Sequence, residues 1–260
     1  DKGPNLSTFF PKAYTLANYK AILLPGGDTV NQFPQWFMNT FTIAIFTCII
    51  SSLFVLMVAY AMSCMRFKAR KPLMNLAIIM NLFPGFLSMI AVYFIMKNLN
   101  LTNSMTGMVI VYSAGSGLGY LIAKGFFDTI SKSLREAAYL EGANEFTVFW
   151  KIIIPLSKPI IATVAVFVAV GQWNSWFDAM LYNRMNTQYT TLQYELMKLL
   201  SSVMQQSGSA TTGGNTATAA VTPVTVRSAA TVVTMLPIIL LYPFLQRYFV
   251  SGMTIGSVKE

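Results

Sequence analysis

Few residues in this chain have side chains that could carry out acid–base, nucleophilic or metal chemistry. The sequence has no histidine and two cysteines, Cys48 and Cys64, and both cysteines fall within one apolar run. These features exclude histidine-based metal sites, Ser-His-Asp triads and a disulfide scaffold. An intramembrane enzyme would also lack paired buried aspartates on which to build a reaction. What remains is non-covalent recognition by charged and aromatic side chains.

A compact charged segment lies between two apolar runs, and it reads SLREAAYLEGANEFTVFWKIIIPLSKP from Ser133 to Pro159. Its charged side chains include Arg135, Glu136, Glu141, Glu145 and Lys151. Each of them would cost about 3 kcal/mol at the centre of a bilayer, and the isoleucines cannot offset that cost. The segment is therefore predicted to stay in the cytoplasm.

The charged segment carries the signals of two short helices joined by a glycine turn. Ser133 followed by Glu136 predicts a capping box at the start of the first helix. Gly142 suits the left-handed position that ends a helix, and Asn144 can cap the next one. Pro155 is predicted to stop the second helix, because proline has no backbone N–H to continue it.

Each of the two helices has a distinctive surface. The second has apolar residues at helical spacing, which are predicted to pack against the membrane-embedded helices: Phe146, Phe149, Trp150 and Ile153. The first carries Glu136 beside Ala137 and Ala138, which are small enough to let the surface of a partner come close. An ordinary solvated loop with two capped helices is the simpler alternative.

The rest of the chain has the composition of a membrane protein. Its 260 residues are 55% hydrophobic and only 10% charged, whereas soluble domains are about one quarter charged. Five stretches lack charge over the roughly 18 residues that a spanning helix needs. They cover 36–65, 72–96, 105–123, 160–177 and 228–246. The expected fold is an all-α membrane protein, because a helix satisfies its own backbone hydrogen bonds in lipid.

The distribution of lysine and arginine predicts the orientation of these helices. With residues 66–71 inside, 11 of the 18 basic residues fall in inner segments, which agrees with the positive-inside rule and explains the net charge of +9 without nucleic acid. The transmembrane domain is then 36–249, with an inner loop at 128–158, an outer loop at 178–227 and a cytoplasmic tail at 250–260. Residues 1–35 fall outside, so a sixth spanning helix is expected before Asp1.

Two segments inside these boundaries have patterns of their own. Apolar residues at helical spacing predict an amphipathic helix over 190–206 in the outer loop. Pro84 and Gly85 interrupt the second span, so a kink is expected there.

The stretch EAAYLEGANEFTVFWKIIIP closely resembles the EAA loop of the inner-membrane permease subunits of ATP-binding-cassette importers. The matching residues are Glu136, Ala137, Ala138, Gly142, Ile152 and Pro155. Ile154 stands where leucine is usual, which is a mild change of apolar shape. The segments 11–20, 156–159, 171–180 and 245–260 look like the maltose-permease-like class, and most like its subgroup for oligosaccharides and polysaccharide fragments.

This resemblance implies a polytopic helical bundle of the type I importer permease kind in a bacterial inner membrane. It implies as partners two cytoplasmic ATPase subunits, a second permease subunit that is a different chain, and an extracytoplasmic sugar-binding protein. ATP and magnesium would bind the ATPases, and this chain would hold no cofactor and catalyse no reaction. Glu136 would make the ionic contact with an ATPase, and Gly142 would supply the turn that lets the helix dock.

A polar and aromatic cluster follows the fourth predicted span. Asn174, Trp176 and Asp178 could line a sugar pathway, because aromatic rings stack on sugars and polar groups bind hydroxyls. An aromatic belt at the membrane interface is the alternative. The rival function is an ion-coupled secondary transporter, although such proteins place ionisable groups near mid-membrane and these spans are nearly free of them.

Overall fold

The chain was analysed as a computed structural model, which describes residues 16, 19–20, 32–114, 119–185, 188–198, 201, 228–240, 242–243 and 246. Every regular element in these residues is a helix, which confirms the all-α fold class. Most of the N-terminal segment 1–35, the tail 250–260 and residues 202–227 of the outer loop lie outside the described residues.

Helix α1, Phe33–Cys64, is the longest described element and has 32 residues. It contains no glycine, and Pro34 sits in its first turn, where the fixed backbone angle of proline favours helix initiation. At 1.5 Å per residue it is about 48 Å long, which exceeds the roughly 30 Å of a hydrocarbon core. Among the described helices, α1 is the one that is long and apolar enough to cross a membrane without a break.

The other apolar regions are helices with sharp breaks. α2, Arg70–Leu82, and α3, Gly85–Asn98, meet at 100°. The break falls at Phe83 and Pro84, as predicted, because proline cannot donate the hydrogen bond that would continue α2. α4, Met105–Ala114, and α5, Gly119–Phe127, meet at 50°.

The charged segment folds into helical pieces that lead into the next apolar helix. The pieces are α6, Lys132–Leu140; α7, Glu145–Val148; a π-helical turn, Phe149–Ile153; and α8, Ile154–Leu156. α7, the π turn and α8 form one continuous helix, Glu145–Leu156, which bends by 84° at Ser157 into α9, Lys158–Trp173.

Helix α9 ends four residues before the predicted boundary at 177. Both the backbone N–H and the side-chain amide of Asn174 donate to the Val170 carbonyl, at 3.1 and 3.0 Å, and close the helix. A second short helix, α10, Phe177–Tyr182, follows this break. The fourth apolar stretch therefore forms α9 and a polar turn, and α10 begins at its last residue.

Two further helices cover the N-terminal end of α1. Residues 192–198 form α11, inside the predicted amphipathic helix, and Ser228–Leu240 form α12. Asn39 donates to the carbonyls of Gln188 and Thr190, at 2.6 and 3.1 Å, and Thr40 accepts from the Leu192 N–H at 2.8 Å. These polar residues of α1 satisfy backbone groups that would otherwise be buried without partners.

α1 is the centre of the described bundle and packs against α4, α5 and α9. At one end of α1, an apolar cluster joins it to α5 and to the π turn through Tyr60, Phe127 and Ile153. At the other end, Trp36 packs with Trp173 and with residues of α11 and α12. The long helix thus connects the charged segment to the opposite end of the molecule.

Among the glycines that the structure describes, Gly107 in the first turn of α4 has the least room for a side chain. A Cβ placed there would lie 1.9 Å from the Leu101 carbonyl oxygen and 2.7 Å from the Met96 Cε. We expect Gly107→Ala to destabilise the protein by about 1–3 kcal/mol, since a backbone atom cannot rotate away from the added methyl. Gly125→Ala is the matched control, because nothing lies within 4 Å of its Cβ position. The measurement is the unfolding temperature of each purified variant, and equal temperatures for both would contradict the prediction.

Candidate functional site

The charged segment is attached to the end of α1 by Arg135. Its Nη1 donates to the Cys64 carbonyl oxygen at 2.9 Å. Cys64 is the last residue of α1, where carbonyl groups have no partner within the helix and carry partial negative charge. The guanidinium of Arg135 therefore satisfies a free helix end and holds α6 against α1.

A second attachment joins α1 to the start of the helix Glu145–Leu156. Tyr60 Oη donates to Glu145 Oε2 at 2.5 Å, and the rings of Tyr60 and Phe149 lie 5.1 Å apart. Asn144 caps this helix through its side-chain oxygen, which accepts from the Thr147 N–H at 2.8 Å. The predicted cap is thus confirmed, and the helix begins at a fixed point beside α1.

Asp128, after the end of α5, makes a third contact at the same end of the bundle. It accepts from Ser63 Oγ and from Lys124 Nζ, both at 2.6 Å. Burial raises the pKa of Asp128, but the hydrogen bonds from Lys124 and Ser63 outweigh it and hold the pKa below its ordinary value. The carboxylate therefore stays ionised and ties α5 to α1.

The turn between the two helices of the charged segment has the predicted backbone. Gly142 has φ of 82°, in the left-handed region that favours glycine. Two local predictions are wrong. The cap of α6 is Ser131, whose Oγ accepts from the Ser133 N–H at 3.3 Å, and not Ser133. Pro155 does not end its helix, which continues to Leu156 because the π turn before it rearranges the backbone hydrogen bonds that proline would disrupt.

The faces of the charged segment differ from the predicted ones. Phe149 and Ile153 are buried as predicted, but Phe146 is 69% exposed and Trp150 is exposed as well. Val148 takes their place in the core, and the buried face is displaced around the helix. The π turn contributes to this displacement, because it changes the number of residues in one turn.

The residues of the EAA pattern divide between the two sides of the segment. Glu136 and Ala137 are exposed on α6. Ala138, predicted to face a partner, is instead buried in the apolar cluster around Tyr60. Ile152 is half-buried, and Pro155 is exposed.

The outward side of the charged segment is unusually apolar for a loop between spans. Leu140 is 90% exposed at the end of α6. The other large exposed side chains of this patch are Leu134, Tyr139, Phe146 and Trp150. Large exposed apolar side chains beside exposed acidic groups are typical of a surface that contacts another protein.

A cavity of about 390 Å³ lies between α1, α4, α5 and α9. Most of its lining is apolar, with a few polar side chains that converge on it. These are Thr47, Ser51, Tyr112, Gln172, Ser175 and Asp178. A mostly apolar cavity with a small number of convergent polar groups is the usual form of a site for a small organic ligand.

The polar groups of this cavity differ in how far they are satisfied. Tyr112 Oη donates to Ser175 Oγ at 3.1 Å, and Ser175 Oγ donates to Asp178 Oδ2 at 2.8 Å. Gln172 is buried, and within the described part of the chain neither its Oε1 nor its Nε2 has a hydrogen-bond partner. The same holds for the hydroxyl of Thr47. These amide and hydroxyl atoms have almost no exposed surface, so water or a ligand can bind them only after the bundle rearranges.

The structure brings together only part of the predicted pathway. Asp178 lines the cavity. Asn174 is exposed and closes α9. Trp176 packs edge to face on Phe177 with ring centroids 5.6 Å apart, beside an apolar cluster.

Sequence reasoning missed the cavity residues on α1 and α9. Thr47 and Ser51 are one helical turn apart, so their spacing would have placed both hydroxyls on one face of the first span. The described residues contain no group of three or more His, Cys, Asp or Glu that could hold a metal ion.

Comparison with known proteins identifies similar chains along most of this sequence. A family model for the binding-protein-dependent transport system inner membrane component matches residues 56–255. Protein LplC of Bacillus subtilis (strain 168) is 34% identical over 255 residues, which cover 96% of this chain and 81% of that protein. The polygalacturonan/rhamnogalacturonan transport system permease protein YtcP of the same organism is 33% identical over 251 residues, covering 96% and 83%.

A solved structure has a similar fold. It is that of a bacterial ABC transporter involved in the import of the acidic polysaccharide alginate. The match has a TM-score of 0.72 and 29% identity, and it covers 84% of this chain and 75% of the other. Together with the family match, it confirms the resemblance to importer permeases and the helical bundle that the resemblance implied.

The attachment through Arg135 predicts a local effect. Arg135→Ala should speed hydrogen exchange of the α6 amides roughly tenfold, because a hydrogen bond from a charged group typically contributes about 1.5–3 kcal/mol and this one is partly exposed. Lys132→Ala is the matched control on the same helix, at an exposed position. Exchange measured by mass spectrometry on the purified full chain tests this, and equal rates in both variants would contradict a role for Arg135 in holding α6.

Proposed function

This chain belongs to the family of binding-protein-dependent transport system inner membrane components, and on that basis we propose that it is a membrane-spanning subunit of an ATP-driven importer. Its cargo is an oligosaccharide or a polysaccharide fragment. The names of its relatives support this substrate class, since one refers to polygalacturonan and rhamnogalacturonan and a similar structure to alginate. The chain itself carries out no ATP hydrolysis.

The observation that carries this proposal is the two-sided charged segment. One side is fixed to α1 by Arg135 and Tyr60. The other side exposes Glu136, Leu140 and Phe146. Exposed apolar side chains on a cytoplasmic loop are costly in water, which supports the proposal that an ATPase subunit docks on this side.

We assign the residues of the EAA pattern to two roles. Glu136, Ala137 and Gly142 face the ATPase, which binds ATP and magnesium. Ala138 and Ile152 hold the segment on the bundle, and Pro155 lies next to the bend that leads into α9. When the two ATPases of the complete transporter close on ATP, the segment moves and carries α1 with it.

The polar cavity is the part of the sugar pathway that this subunit contributes. The chain from Tyr112 through Ser175 to Asp178 offers donors and acceptors that suit sugar hydroxyls, and Gln172 and Thr47 add further polar atoms once the bundle opens. The rest of the pathway comes from a second permease subunit, which is a different chain. An extracytoplasmic sugar-binding protein docks on the outer loop, 178–227, and on the segment before Trp36.

Asp178 also favours a second candidate, an ion-coupled secondary transporter. A carboxylate that faces a cavity within the bundle is the type of group that binds a coupling ion. Uptake of radiolabelled oligosaccharide into proteoliposomes separates the two functions. If the chain belongs to an ATP-driven importer, uptake requires ATP and the ATPase subunits. Uptake that is driven by an ion gradient without ATP would instead support the secondary transporter.

Variants of Gly142 test whether a partner approaches the turn. Nothing in the described part of the chain lies within 4 Å of a Cβ at this position, so a steric effect would indicate the approach of another molecule. Asparagine tolerates the left-handed conformation, whereas valine is strained there by about 1–2 kcal/mol. We expect Gly142→Asn to leave the unfolding temperature unchanged and to lower ATPase retention during purification, and Gly142→Val to lower both.

A charge reversal provides the companion test. Glu136→Lys should also release the ATPase subunits, whereas Lys97→Glu, a charge reversal at an exposed position near the end of α3, should retain them. Wild-type retention and transport in both Gly142→Asn and Glu136→Lys would contradict docking through this surface.

Gln172 tests the pathway. Gln172→Leu keeps the volume and removes buried polar atoms that have no partner in the described chain, so stability should be unchanged or higher. Uptake should fall about tenfold, which corresponds to roughly one lost hydrogen bond of 1.4 kcal/mol. Asn174→Ala is the opposite control, because it removes a helix-closing contact but lies away from the cavity. It should lower stability and preserve uptake per folded complex, and the reverse pattern would exclude the cavity as the pathway.

A further inference from the structure

The turn between α1 and α2 forms a basic pocket of about 450 Å³. Its lining consists of Arg66, Phe67, Lys68, Arg70 and Lys71. Four of these five residues are cations, and no acidic residue lines the pocket. The pocket therefore has the charge and concave shape that bind an anion.

The positive charge of the basic pocket is not neutralised within the described part of the chain. Two ion pairs occur among the described residues, Lys124–Asp128 and Lys198–Glu195, and neither of them includes a cation of the pocket. The charge of Arg70 helps to lower the pKa of Asp128, but the carboxylate oxygens of Asp128 accept hydrogen bonds from Lys124 and Ser63. In addition, α2 begins at Arg70 with no side-chain cap and no acidic residue in its first turn. No described carboxylate pairs with these cations, so the pocket favours the binding of an anion.

The surroundings of the basic pocket indicate which anion this is. The pocket directly follows α1, whose last residues contact Asp128 and Arg135. It is therefore at the same end of the bundle as the charged segment, which the proposed function places inside the cell. α2, which leads away from the pocket, buries none of its side chains within the chain.

The composition of α2 extends this argument. Its exposed residues are mostly large and apolar, and they include Leu73, Leu76, Ile79, Met80 and Leu82. Phe67 lies among the cations and is 38% exposed. Cations next to an exposed apolar helix occupy the level of lipid headgroups, where lysine and arginine meet phosphate while aromatic and apolar side chains meet acyl chains.

We propose that the basic pocket is a binding site for the headgroup phosphate of an anionic phospholipid of the inner leaflet. Arg66, Lys68 and Lys71 bind the phosphate oxygens, and Phe67 contacts the start of the acyl chains. The bound lipid lies beside the joint between α1 and the charged segment, so it stabilises the end of α1 that the segment moves. The inner placement depends on the proposed function, whereas lipid binding itself can be measured in either orientation.

The test uses the complete transporter, purified and delipidated, and the probe is radiolabelled phosphatidylglycerol retained by the complex. The pocket variant replaces Arg66, Lys68 and Lys71 with glutamine. The control variant replaces Lys132, Lys151 and Lys158 with glutamine, which removes the same charge at exposed positions outside the pocket. We expect affinity to fall about 100-fold in the pocket variant, roughly fivefold for each charge, and to stay within about twofold in the control.

A second measurement uses the unaltered complex, so its result does not depend on whether the variants fold. Phosphatidylglycerol should shield Lys68 and Lys71 from an acylating reagent and leave Lys132 and Lys151 reactive, as read by mass spectrometry. Phosphatidylcholine should neither bind comparably nor protect. An equal loss of lipid affinity in the pocket and control variants would contradict binding at the pocket, since it would indicate a general effect of charge. Full displacement by inorganic phosphate would overturn the assignment to lipid, and it would leave the proposed transport function untouched.

Discussion

The hydrogen bond from Arg135 to the Cys64 carbonyl is the contact on which the proposed mechanism depends, because it fixes the charged segment to α1. α1 has no internal break, and at about 48 Å it reaches from this contact to the opposite end of the bundle. A helix of that length transmits displacement along its axis. Because Thr47 and Ser51 lie on α1, a force applied to the charged segment reaches the wall of the cavity.

The joint at the charged segment and the cavity both contain polar groups, and only some of them are paired. At the joint, Tyr60 donates to Glu145 and Ser63 donates to Asp128, although the buried hydroxyls of Tyr120 and Ser157 have no partner among the described residues. At the cavity, Gln172 has no partner for either amide atom within the described residues. Buried groups without partners are costly to the fold. A change of shape that exposes Gln172 to a ligand would relieve that cost, which suits the proposed transport function.

Sequence reasoning succeeded where the cause is local. Gly142 could be assigned a left-handed backbone, Asn144 a cap and Pro84 a break, because each follows from the chemistry of one residue and its neighbours. It failed where tertiary packing decides. Ala138 faces the bundle because α6 is held against α1, and Gln172 reaches the cavity only because α9 packs on α1. Periodicity within one helix contains neither fact.

The π turn at Phe149–Ile153 shows how one local irregularity produces the shape of the joint. It allows Pro155 to remain in the helix, and the 84° bend follows at Ser157 instead. The helix Glu145–Leu156 therefore lies across the end of α9 rather than continuing its axis. In this orientation the helix packs one side against the bundle and leaves its other side exposed. This geometry separates the anchoring face, with Phe149, from the exposed face, with Phe146, on which we propose that an ATPase subunit docks.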